Sequence, residues 1–191
     1  MSRPFFDWLV SRGRDNRNMK RYKLVVWAMC LIVLAACNPV LNWRELVWSR
    51  SDIKAMVPCK PDLGSQKVEL AGQSGELQMA GCEVSDQLFA ISCIDVKVAD
   101  QLQATQQAWQ RDMLANLQAG SPVVSAVTLK GASLWPAPVR LSAAGLGSRG
   151  EPLQAQALWF AKAATLCHAV VYAPNISQEA AEVFFSGIEI Q

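Results

Sequence analysis

At 191 residues the chain has the length of one domain, on a prior of about 100–200 residues per domain, which leaves little room for a multidomain enzyme. Apolar residues make up 51% and charged residues 18%, with nine Pro and eleven Gly, a composition that excludes disordered and collagen-like classes. The net charge of +2 averages two unlike pieces. Residues 1–36 hold seven Lys/Arg against two Asp, a net of +5, and residues 37–191 hold eleven Lys/Arg against fourteen Asp/Glu, a net of −3. The larger piece has no basic cluster that could follow a phosphate backbone, so nucleic acid is not an expected partner.

The first element is an address. Met19-Lys20-Arg21-Tyr22-Lys23 is a cationic stretch, and Leu24 to Leu34 is an uncharged apolar run. A positive n-region before an apolar h-region of about 7–15 residues has the build of a secretory signal, whereas a membrane span needs about 20 apolar residues. Met19 begins this signal by itself, so residues 1–18 read as an upstream extension or as sequence before the real start.

The run ends in Leu34-Ala35-Ala36-Cys37, which resembles the lipobox of bacterial lipoproteins. The resemblance implies cleavage before Cys37, a thioether-linked diacylglycerol on its sulfur, and acylation of the new amino terminus. Each buried methylene contributes about 0.8 kcal/mol, so two or three chains hold where one does not. Asn38 stands where an inner-membrane retention signal has Asp, so the resemblance favours passage to the outer membrane. The expected location is the bacterial envelope, facing the periplasm, with the membrane engaged through the lipid.

Residues 37–52 have no clean period. They read as a lipid-proximal tether, or as a first strand with Trp43 packed into the domain; they are not Gly/Ser-rich as flexible tethers are, which favours the strand. Met56 to Asp62 reads as a strand end running into a turn, because each Pro removes a ladder donor. Gln66–Leu70 and Glu76–Met79 alternate around a Gly-containing loop, which predicts a hairpin. Leu88–Val98 is a long strand. Asp100, as N-cap, opens a helix of about 19 residues ending at Gly120, with Leu102, Trp109, Met113 and Leu117 on one stripe.

Further strands are expected at Val123–Leu129, Val139–Ala143, Leu153–Ala163 and Thr165–Ala173, with a Gly-rich turn from Gly145 to Gly150. Ser177 caps a closing helix through Phe185, with Glu179 and Glu182 near its positive end, and Ile188–Ile190 is a short last strand. The expected fold is α+β: an antiparallel sheet of about six to seven strands, packed by one long central helix and a short C-terminal helix.

This order resembles the PsbP-like fold over residues 53–191, as a pattern rather than a signature. Cys37-Asn38-Pro39, Asn42-Trp43-Arg44-Glu45 and Pro58-Cys59-Lys60-Pro61-Asp62 also resemble a family of uncharacterised lipoproteins of Gram-negative bacteria. Neither resemblance implies a catalytic residue.

Outside the signal and Cys37, four cysteines remain: Cys59, Cys82, Cys93 and Cys167. An even number in an oxidising compartment suggests two disulfides, with three possible connectivities. Cys59–Cys82 is preferred, because a short hairpin lies between them. Cys93 and Cys167 are the remaining pair, or else reduced core residues. There is no CxxC, and His168 is the one histidine, so no metal ligand set is expected. His168 reads as an outward-facing or hydrogen-bonded strand residue.

Catalysis has little to draw on. There is no Gly-x-Ser-x-Gly elbow, and Gly145–Gly150 precedes a strand instead of opening a helix over a phosphate. No cofactor is expected. The favoured reading is a non-catalytic, lipid-anchored module that binds an envelope protein or other component through its sheet or through Trp109, Trp135 and Trp159. The alternative is a small envelope enzyme or enzyme accessory using an acid pair or a reactive thiol at Cys93 or Cys167.

Overall fold

The computed structural model describes residues 40–48 and 52–191. The signal segment, the start at Met19 and lipidation at Cys37 fall outside the described residues.

Alternation of inward apolar and outward polar side chains sets most of the strands. β1 is Arg44–Trp48, β2 Ile53–Val57, β3 Asp62–Leu70, β4 Gln73–Val84 and β5 Gln87–Asp95. After the first helix, α1 (Leu102–Asn116), come β6 (Val123–Ala126), β7 (Val139–Leu146), β8 (Pro152–Lys162) and β9 (Thr165–Ala173). The second helix, α2 (Gln178–Ser186), and β10 (Glu189–Ile190) close the chain.

Seven strands form one antiparallel sheet in the order β3-β4-β5-β9-β8-β7-β6. The remaining three form a separate sheet, β1-β2-β10, in which both ends of the described chain meet. This corrects the single sheet expected from the sequence. The α+β class stands, but strands dominate and the first helix is neither long nor central.

Each face of the large sheet has its own cover. On one side Phe89, Ile91, Phe160 and Val171 pack with Ile53 and Val57 of the small sheet and with Phe184 of α2. Trp43 joins this layer just before β1, its ring edge-on to Phe89 at 6.5 Å. On the other side Leu102, Met113 and Leu117 lie over Leu141, Trp159, Leu166 and Val170. Burying each such large side chain contributes about 1.5–3 kcal/mol.

The helix ends have specific causes. The expected helix of about 19 residues is 15 residues long. Ala99–Gln101 form a 3-10 turn, and Gln101, not Asp100, stands at the N-cap of α1. At the other end Gln118 adopts φ 47°, and Ala119 N donates to Leu114 O while Gln118 N donates to Ala115 O, each at 3.0 Å. That is the Schellman closure, here with Gln in the left-handed position usually taken by Gly. The helix therefore stops four residues before Gly120.

Helix α2 begins as expected at Ser177, whose Oγ accepts from Ala180 N at 3.3 Å. Its flank is tied to the sheet by Arg140, which lies 3.9 Å over the Phe185 ring and donates to Glu182 Oε1 at 2.8 Å.

Candidate interaction surfaces

The four cysteines of the described body are joined in two pairs. Cys59 and Cys82 are bonded at 2.08 Å, Cys93 and Cys167 at 2.09 Å. The second pair follows from register: Cys93 stands directly opposite Cys167 across β5 and β9, and both point to the face beneath the small sheet. With each sulfur bonded to another, neither Cys93 nor Cys167 offers the thiolate that nucleophilic chemistry requires.

The three tryptophans singled out in the sequence have three different fates. Trp159 is fully buried, because its parity on β8 turns it beneath α1. Trp109 is half-buried on the inward side of α1, packed against the same layer. Trp159 therefore presents no surface to a partner, while Trp109 keeps part of its ring accessible. Trp135 alone of the three is exposed, at 68%.

Between the two inward tryptophans sits His168. Its ring stacks on Trp159 with centroids 4.4 Å apart and planes at 20°, and Trp109 covers it at 5.1 Å. It is buried rather than outward-facing, and its Nε2 has no hydrogen-bond partner among the described residues. Burial lowers its pKa from 6.5 to about 3, because the charged form loses its hydration. Trp159 Nε1 and Gln106 Oε1 are likewise buried without partners, although Gln106 Nε2 donates to Ala137 O at 3.3 Å.

Trp135 belongs to the connection between β6 and β7. Ser133 N donates to Ala161 O at 2.7 Å, and Ala132 N donates to Leu129 O at 3.2 Å. Gly131 has φ 84°, and a Cβ there would stand 2.5 Å from Ile190 O, so only glycine fits this approach to β10. Pro136 and Pro138 are buried on the far side of the tip. Between these fixed points Leu134 and Trp135 project, 91% and 68% exposed. The sequence signalled Trp135 by its aromatic character alone; its neighbour Leu134 carried no signal.

The position of this tip is defined by β2. Ile190 pairs with Ile53 at one end of that strand, and Gly131 lies against Ile190. The described chain begins at Val40, and Asn42 N donates to Pro58 O at 2.7 Å, beyond the other end. Four residues of strand, about 14 Å at about 3.4 Å each, separate the two ends.

Among the described residues no group of three or more His, Cys, Asp and Glu is gathered as a metal ion requires. Nor is any helix there long and apolar enough to cross a membrane. No family model matches the chain, and no curated protein matches it.

Proposed function

We propose that the chain is a lipid-anchored, non-catalytic module of the bacterial envelope, facing the periplasm, that binds an envelope protein through the Leu134–Trp135 tip. The observation that carries this reading is the exposure of that apolar pair on a connection otherwise fastened to β8 and β10. Exposed aromatics of this kind serve as anchors at protein interfaces. The tip lies at the end of β2 away from Val40, where the chain from Cys37 joins the body.

Two further features support the address. Leu34-Ala35-Ala36-Cys37 has the lipobox pattern, and paired cysteines persist in oxidising compartments such as the periplasm. The order of a hairpin, a helix after the central strand and a closing helix supports a PsbP-like relationship for residues 53–191.

The test has two parts. The intact mass of the membrane-extracted protein is expected to start at Cys37 and to include acyl chains. A photoreactive amino acid at Trp135, irradiated in living cells, is expected to give one discrete adduct that Leu134→Asp abolishes and that the same label at Lys60 does not give. An unprocessed mass overturns the anchor. No adduct at Trp135, or the same adduct from Lys60, overturns the tip.

A further inference from the structure

A second surface lies at the opposite end of the large sheet, on the α1 side. The last turn of α1, the β7–β8 turn and the ends of β4, β5 and β9 border an open cleft of about 560 Å³, within the range of about 300–1,000 Å³ typical of small-ligand sites. Its floor is apolar, built from Leu88, Met113, Leu117 and Leu153. Leu88 is 40% exposed although it lies in a central strand, because the cleft bares it.

The rim has the opposite character. Glu83 stands near the end of β4, Asp86 on the β4–β5 turn and Glu151 on the β7–β8 turn, against the single cation Arg149. The C-terminal end of α1 adds its negative dipole at Asn116 and Leu117. Tyr172 lines the wall, and burial raises its pKa to about 12, so it adds no charge at neutral pH. The turns that carry the rim are fixed: Leu146 N donates to Leu117 O at 2.7 Å, Gly147 N to Glu151 O at 2.8 Å, and Arg149 N to Glu151 Oε2 at 3.0 Å.

We propose that this cleft is a binding site for a small amphipathic cation, a molecule with an apolar body for the leucine floor and a protonated amine for the carboxylate rim. The charge balance selects the sign: three carboxylates and a helix C-terminus against one guanidinium attract a cation and repel an anion of the same shape. The site is independent of the Leu134–Trp135 tip, which lies at the other end of the sheet.

The experiment uses the full chain in phosphatidylcholine nanodiscs, with isotope-labelled methionine methyls and empty discs as the blank. The probes are phenylbutylammonium, phenylbutanol and phenylbutanoate, which share a body and differ in charge. Phenylbutylammonium is expected to shift the Met113 methyl and to bind at least about fivefold more tightly than the alcohol, with the carboxylate weakest. The double variant Glu83→Gln and Asp86→Asn is expected to bring the ammonium down to the alcohol while leaving the alcohol's affinity and the unliganded Met113 signal unchanged. Equal or tighter binding of the alcohol or carboxylate overturns the cation preference, as does its survival in the double variant. No shift at Met113 with any probe overturns the site itself.

Discussion

The imidazole of His168 lies flat on the indole of Trp159, centroids 4.4 Å apart and planes at 20°. One residue on β9 and its cross-strand neighbour on β8 thus form the floor on which α1 lays Trp109. A neutral histidine suits this place, since its flat ring fills the gap and its charge would have no water to meet.

That relationship makes the fold acid-sensitive in a defined window. The folded pKa of His168 is lowered to about 3 against 6.5 for the free side chain, so between those values the unfolded chain binds a proton that the folded chain refuses. Stability is therefore complete above about pH 6.5 and falls as the pH drops toward 3, by at most about 1.4 kcal/mol per pH unit from this group. His168→Phe keeps a flat ring between the tryptophans and removes the titration. Urea unfolding from pH 7 to pH 4 is expected to show a shallower loss for the variant; identical slopes would refute the role of His168.

The two disulfides differ in the length of chain they close, with sequence separations of 23 and 74. In the chain-entropy account these correspond to about 3.5 and about 4.5 kcal/mol. Replacing Cys59 and Cys82 by Ala is expected to cost less stability than replacing Cys93 and Cys167, whose pair also sits in the core. Chemical denaturation of the two double variants decides the order.

Gly145 is the point where β7 passes under the end of α1: a Cβ there would stand 2.1 Å from Leu117 O. Gly145→Ala must push helix and strand apart and is expected to cost about 1–3 kcal/mol. Gly120, with nothing within 4 Å of its Cβ position, is the control, and Gly120→Ala should be neutral or slightly stabilising. Thermal melts of both variants test the contrast.

Trp159 and Trp135 should separate just as sharply. Trp159→Ala removes a fully buried indole and is expected to cost about 3–5 kcal/mol. Trp135→Ala acts on an exposed tip and should stay within about 0.5 kcal/mol, while removing the indole most accessible to acrylamide among the described tryptophans. A large loss of stability in Trp135→Ala would mean that the tip supports the fold.

Much of the secondary structure was legible along the chain. The strand Thr165–Ala173 has the same bounds in sequence and structure, and Ser177 caps α2 as its position suggested, because both signals are local. One tight turn was not read: Ser85 and Asp86 take φ values of 52° and 58°, left-handed conformations that no glycine between β4 and β5 announces.

The sequence by itself determined where most strands and the two described helices lie and the pool of cysteines available for pairing, since periodicity and caps are properties of neighbouring residues. Only the tertiary structure decided which side of each strand meets which layer. Strands β8 and β9 are buried on both faces, so their apolar runs carry no parity to read. Register then brought Cys93 to Cys167 and His168 to Trp159, and hid Trp159 while the β6–β7 connection bared Trp135. Those outcomes depend on partners 9 to 74 positions away, and no local pattern encodes them.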